Sequence, residues 1–430
     1  MYPGIFTGEL LANQPNGDNR PIFFCEYAHS MGNATGNIKE FWDAWRSTKR
    51  VIGGCIWEYR DQGLLKRDSV GTAYYAYGGD FQEKYYDDFT IKGIADSEGN
   101  PKAALYECKR VNQPLETTLA DASKALVKVQ NRHASKSAAD YLLTLTLRED
   151  GRVVATKPLP RLRLGAQRDT VISLQPYLPK LKAGAEYLAT VSFSLPEATQ
   201  WAPKGHEVAA NQLPLTGLAQ PAKPAKSFPA VAVRDEAKAY VVSGKGFTVS
   251  IDKTTGALTS YQQNGAEQLA APLLPHFTRP LTDNDRRGWK APKKLKPWFE
   301  AQPKLESLTL DKTTAGLASL TSTYALIDAT TKVRVTYTVN GAGVLKVDYA
   351  LTPAAGLPNL PRVGLKGGIK RSYDQLSYYG RGPWENYVDR RYGIDAGIYA
   401  HALPTAADSY VVPQEFGTRT DIRWLQLADK

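Results

Sequence analysis

Between Pro21 and Gln62 the chain gathers most of the side chains suited to chemistry, in the stretch PIFFCEYAHSMGNATGNIKEFWDAWRSTKRVIGGCIWEYRDQ. Glu26, Tyr27, His29, Ser30 and Asn33 put a carboxylate, a phenol, an imidazole, a hydroxyl and an amide into one short segment. That is more functional variety than a self-capping turn uses. Glu26 closes an apolar run, where a carboxylate is costly to bury without partners. It is therefore either one half of a structural ion pair or a working group of a site, and the residues after it favour the site. Trp57, Glu58 and Tyr59 close a second apolar run in the same stretch.

The elements around these residues explain how they come together. Pro21–Glu26 has the composition of a strand buried on both faces of a parallel sheet. Ile38, Phe41, Trp42 and Trp45 recur at helical spacing and form an apolar stripe, with Lys39, Glu40, Asp43 and Arg46 turned outward. Val51–Tyr59, with Gly53-Gly54 near its start, predicts a second strand. Strand, loop, helix, strand is the order of a βαβ unit. In a (β/α)8 barrel the catalytic groups stand at the C-terminal ends of strands, which is where Glu26 and Trp57 fall. Asn100 as N-cap and Pro101 at the first helical position predict a further helix over Lys102–Val111. Two strand–helix units in about 110 residues cannot close a barrel that takes about 250, so most of the barrel is expected to lie outside this chain.

CEYAHSMGN, then GGCIWEYRDQG and YGGDF, resemble the second half of the catalytic barrel of the large β-galactosidases of glycoside hydrolase family two. FTRPLTDND, YYGRGPWENYVDR and VVPQEFGTRTDIRW resemble that family's C-terminal β-sandwich in the same order, so the resemblance covers nearly the whole chain. It implies retaining hydrolysis of terminal β-D-galactosides such as lactose. Such a reaction uses two carboxyl groups about 5–5.5 Å apart. Glu26 takes the nucleophile's place, with Tyr2 beside it as the tyrosine of the family's Met-Tyr pair, matched here by Met1-Tyr2. His29 is implied to hydrogen-bond a galactose hydroxyl and Trp57 to face the sugar or aglycone. Their structural alternatives are a loop-stabilising imidazole and a core indole. The family's acid/base glutamate lies on an earlier strand, in a Gly-Asn-Glu-Ser loop that this sequence lacks. Glu58 follows Trp57 but points to the opposite side of its strand, so an ion-paired or helix-facing role is expected for it. The family's magnesium ligands lie upstream of Met1, and no cofactor is expected to be held within this chain alone. Its sodium site draws on the carbonyl matched by Phe89 and on an asparagine whose place is taken here by Lys92, an ammonium that replaces or repels the ion.

From Pro114 to Leu218 short alternating strands follow, such as Tyr141–Glu149 and Glu186–Leu195, with Asp150-Gly151 as a hairpin turn. An immunoglobulin-like sandwich is expected there. The proline-rich 219–230 stretch reads as a linker. Strands resume over 231–430, where the resemblance implies a large galactose-mutarotase-like sandwich, cut short. The expected architecture is thus multidomain, α/β plus all-β, with a partial TIM barrel over 1–113. Asp283-Asn284-Asp285 and Pro383–Tyr387 are polar loops that suit either sugar or cation binding or self-capping turns, the turns being favoured.

A chain of 430 residues with 42% hydrophobic and 23% charged residues has an ordinary globular composition. No run approaches the roughly 18 apolar residues of a membrane span. The net charge of +11 comes from scattered lysines and arginines apart from Arg286–Lys296, which argues against a nucleic-acid partner. Cys25, Cys55 and Cys108 are odd in number and lack metal-ligand spacing, so free buried thiols are expected. Three functions follow: the nucleophile half of a β-galactosidase, inactive alone; a non-catalytic carbohydrate-binding or assembly module; or one chain of a split enzyme whose partner is the missing barrel half. Homo-oligomerisation is a further expected form of assembly.

Overall fold

The computed structural model describes residues 2–14, 17–82, 87–218, 227–403 and 410–429. Met1 and residues 219–226 of the expected linker lie outside them. By its internal contacts the chain forms two compact units, one of Met1–Pro221 with Asp374–Ala428 and the other essentially Ala222–Tyr373.

The first unit opens with a short helix α1 (Thr7–Ala12), then strand β1 (Ile22–Tyr27), helix α2 (Ile38–Arg46) and strand β2 (Val51–Ile56). β1 and β2 pair in parallel, with Ile22 opposite Val51 and Phe24 opposite Gly54. The βαβ order expected from the apolar periodicity is present. Ile38, Phe41 and Trp45 of α2 are buried against Tyr27. Trp42 sits on the flank of the stripe and donates its indole N–H to the Tyr27 hydroxyl at 2.9 Å. Each large side chain so buried contributes about 1.5–3 kcal/mol, so this helix is held by its aromatic face rather than by propensity. A hairpin of β3 (Leu64–Arg67) and β4 (Ala73–Ala76) follows, and then helix α3 (Ala103–Val111).

Two expectations need correcting. Asn100 does not cap α3: the helix starts at Ala103, and Asn100 donates from its backbone (2.8 Å) and side chain (2.9 Å) to the Asp96 carboxylate. The three cysteines are free as expected, but only Cys108 is buried. Cys25 and Cys55 are exposed because the helices cover one face of β1 and β2 and leave Phe23 and Ile52 bare as well, at 55% and 61% exposure.

Beyond α3 a three-stranded and a four-stranded antiparallel sheet pack face to face. Leu115, Val127 and Val129 from one interleave with Leu143, Leu145, Val191 and Phe193 from the other in a single buried core. Asp150 and Gly151, both at positive φ, turn the hairpin between Leu142–Glu149 and Arg152–Leu159 as their sequence predicts. Leu115–Asp121 and Glu207–Pro214 complete the sheets. The strand Gln375–Arg381, paired on either side by Ala396–Ala402 and Trp424–Ala428, forms a further sheet of this unit.

The second unit is also a sandwich. A sheet running from Ala232–Asp235 to Gly364–Ile369 faces a four-stranded meander from Lys304–Thr314 to Leu345–Thr352, and Val249, Ile251, Leu320 and Val335 lie in the core between them. Its Asp283–Asp285 loop serves its own backbone: Asp285 accepts from the Thr282 N–H at 3.0 Å and pairs with Arg279 at 3.0 Å. Among the described residues no helix is long and apolar enough to cross a membrane.

Candidate active site

β1 carries Glu26 next to its last residue, half-buried. The hydroxyl of Tyr2 stands beside the Glu26 carboxylate, and burial together with that neighbouring negative charge pushes the phenol's pKa well above its ordinary value. A phenol so placed keeps its proton and faces the carboxylate as a potential hydrogen-bond donor. The Tyr2 ring meets His29 edge-on, 5.5 Å between ring centres, and His29 lies 6.0 Å from Phe89. On the far side Lys92, itself buried, brings its Nζ to 4.4 Å from the Phe89 ring centre and 5.4 Å from that of Trp57. Tyr2, Glu26, His29, Phe89 and Trp57, picked from scattered positions in the sequence, therefore form one continuous cluster.

Backbone hydrogen bonds lace the three segments that supply it. Ser30 N–H donates to the Trp57 carbonyl at 2.8 Å, Gly32 N–H to Ile91 at 3.2 Å and Glu58 N–H to Lys92 at 3.0 Å. Glu58 is engaged by Lys92, with Nζ to Oε1 at 3.2 Å. Lys92 also reaches Gln62 Oε1 at 3.4 Å. Behind the cluster Asp61 accepts from Gly93 N–H at 2.6 Å and pairs with Lys102 at 2.5 Å, and burial raises its pKa against the pull of that lysine.

The arrangement can hold an oriented carboxylate beside a protonated phenol, an imidazole and two aromatic faces, on a surface open to a ligand. Among the described residues no three His, Cys, Asp or Glu side chains group as metal ligands. Gln62, which Lys92 reaches, was not singled out by its sequence.

Comparison with known proteins decides the relationship. A model described as the family 2 glycosyl hydrolase TIM barrel domain matches residues 6–117, β-galactosidase domain 4 matches 127–216, and the β-galactosidase small chain matches 243–430. The chain belongs to glycoside hydrolase family two. Its β1–α2–β2 unit is thus a piece of that family's TIM barrel, joined to β-sandwich domains. The β-galactosidase of Priestia megaterium is 31% identical over 423 residues, covering 95% of this chain and 40% of that protein. β-Galactosidase 2 of Enterobacter cloacae is 31% identical over 435 residues (95% and 41%), and the β-galactosidase of Aeromonas hydrophila 32% over 428 residues (96% and 41%). The chain spans about two-fifths of the length of these family two relatives.

Proposed function

We propose that this chain carries the nucleophile side of a β-galactosidase active site. The observation that supports it best is the Glu26 carboxylate near the end of β1 with the Tyr2 hydroxyl beside it. In this reading a Glu26 oxygen attacks the anomeric carbon of a terminal β-D-galactoside while the glycosidic C–O bond breaks and a second carboxyl group protonates the leaving oxygen. Water then attacks the same carbon, gives its proton to that group and frees Glu26, with net retention. Tyr2 orients the carboxylate, His29 hydrogen-bonds a sugar hydroxyl and Trp57 stacks on sugar or aglycone. Glu58 is not the second carboxyl, since Lys92 holds it. By resemblance that group belongs to an earlier barrel strand.

Sodium does not suit the residues present. The Lys92 ammonium lies against Phe89 and Glu58, so a fixed positive charge already stands beside the group from which the ion would draw a ligand. No step is assigned to the ion. The same melting temperature in sodium as in potassium salts is the expected result, and stabilisation by sodium alone would contradict it. We further assign 114–218 to an immunoglobulin-like domain and 231–430 to the mutarotase-like sandwich, with the barrel segment over 1–113 and the linker over 219–230, although by internal contacts Asp374–Ala428 groups with the first unit.

A second reading, one chain of a two-chain enzyme, is favoured by the two-stranded parallel sheet with its exposed Phe23 and Ile52. Parallel sheets are ordinarily covered on both faces, and the partner that fits is a polypeptide bearing further barrel strands. Both readings meet one experiment. The chain, alone and mixed with the N-terminal barrel half of the Priestia relative, is treated with a fluorinated galactoside that traps the covalent intermediate. Label on Glu26 in the mixture, and none in Glu26→Gln, is expected; label on another carboxylate overturns the assignment. Turnover by the unmixed chain above its Glu26→Gln control would refute the view that it is inactive alone.

A further inference from the structure

The loop from Ala28 to Asn37 joins Glu26 to helix α2 and carries His29. Its site-facing side is fixed by the Trp57 and Ile91 carbonyls already described. Its other side is gripped by residues more than 350 positions later, in the same compact unit. Asn33, which is buried, is the centre of that grip. Its backbone N–H donates to Gln414 Oε1 at 2.8 Å, and its side-chain amide donates to the Tyr387 hydroxyl at 2.9 Å and the Glu415 carbonyl at 2.7 Å. Its side-chain oxygen accepts from Arg390 Nη2 at 2.5 Å. Every polar atom of the asparagine side chain is used, and in only one orientation of the amide.

Arg390 is itself locked. Its guanidinium pairs with Glu385 at 3.0 Å, both side chains almost wholly buried, and also donates to the Thr35 carbonyl at 3.3 Å. Glu385 accepts in turn from Gly417 N–H at 2.6 Å and from the Tyr410 hydroxyl. Asn37 N–H donates to the Asp389 carbonyl at 2.7 Å. A planar guanidinium that serves a carboxylate, an amide oxygen and a carbonyl at once fixes distances and angles that a single point charge cannot. The sandwich cores do not require this: the network lies outside them and ends on a loop.

We infer that Arg390, Glu385 and Gln414 are positioning residues of the candidate site, holding Asn33 and through it the segment that presents His29 beside Glu26. The inference rests on the reading of Glu26 and His29 as site residues, and it assigns to the C-terminal sheet's loops a task at the barrel. They set one wall of the sugar site before any ligand arrives, as preorganised sites require.

The test uses the full chain and needs no turnover. With histidines labelled at the ring carbon, the His29 signal is assigned through His29→Ala and carries the ring-current shifts of Tyr2 and Phe89. In Gln414→Ala, which removes one acceptor and leaves no buried charge, and in Arg390→Met, that signal is expected to move toward its unfolded-chain position. Amide exchange across Ser30–Thr35 is expected to speed by about tenfold or more, while amides of the sandwich core such as Val191 keep their protection. A merely structural role lowers the unfolding temperature without moving the His29 signal well below it. Should Arg390→Met fail to fold, Gln414→Ala carries the test by itself. An unmoved His29 signal and unchanged loop exchange in a folded Gln414→Ala overturn the inference. If the loop responds but trapping never labels Glu26, the positioning of the loop stands and the galactosidase reading falls.

Discussion

Replacing Lys92 by methionine removes a charge from a closed environment and nearly keeps the side chain's length. Lys92 is 2% exposed, and its ammonium sits 3.2 Å from Glu58. Removing one member of a buried pair costs about 3–5 kcal/mol, because the remaining charge is left uncompensated. Glu58 keeps 21% of its side-chain surface, so water screens part of that charge and the low end applies. The ammonium also lies over the Phe89 and Trp57 rings, a contact worth roughly 2 kcal/mol when desolvated, of which a thioether recovers a part. Lys92→Met is expected to destabilise the first unit by about 3 kcal/mol, more than a hundredfold in its unfolding equilibrium. Adding Glu58→Gln is expected to return about 2 kcal/mol, a coupling that a double-mutant cycle measures directly. Urea unfolding of the full chain, followed through the exchange of the Ile91–Ala95 amides, separates the first unit from the second. A loss under about 0.5 kcal/mol, or strictly additive effects in the cycle, refutes the view that Lys92 is the resident cation of this site.

Glu107 of α3 is buried and accepts from the Gly393 N–H at 2.6 Å, yet burial still raises its pKa. The folded chain then holds this proton more tightly than the unfolded chain. Its contribution to stability falls as pH climbs through the raised folded value and returns on acidification toward the ordinary glutamate range. Glu107→Gln keeps an acceptor for Gly393 and is expected to raise stability above that window and flatten the slope within it; an unchanged slope in pH-dependent unfolding counts against the assignment. A thiol reagent is expected to modify Cys25 and Cys55 in the native chain and Cys108 only after unfolding, since burial pushes the Cys108 thiol up to about 12. Rapid native labelling of Cys108 would contradict its placement. A side chain at Gly93 would run into the backbone of Arg60 and Asp61, so Gly93→Ala is expected to cost about 1–3 kcal/mol, and an unshifted urea midpoint would show that the close approach is not real.

What was legible in the sequence follows from how local each signal is. The α2 stripe and the two apolar runs around it report their own packing, since a helix with Ile38, Phe41 and Trp45 on one face has only one way to bury them. The hairpin at Asp150-Gly151 was legible because positive φ at both positions is written in the residue types. The cap of α3 was misread because Asn100 has a nearer partner: Asp96, four residues back, takes both of its donors. The thiols of Cys25 and Cys55 were misjudged because an apolar strand announces that it can be buried and says nothing of whether a covering layer is there. The site's members were named largely through resemblance, and the Lys92–Glu58 pair matches an ion-paired role expected for Glu58. Arg390 and Gln414 carried no local signal, because their partner Asn33 is brought to them only by the fold.

That difference bears on how the site is built. The loop after Glu26 is fixed on two sides within this chain, by the backbone of the Trp57 and Ile91 segments and by the buried network around Arg390. Glu26 itself is half-buried and the neighbouring faces of β1 and β2 are exposed. Strands added there would cover Phe23, Cys25, Ile52 and Cys55 and supply the remaining walls of the proposed sugar pocket, and a loop already gripped from two sides is expected to keep His29 in place. Assembly with a barrel half should therefore protect Cys25 and Cys55 from the thiol reagent while leaving the His29 signal where it is. Protection accompanied by a large shift of His29 would mean instead that the loop is formed by assembly and that the Arg390 network does not hold it in advance.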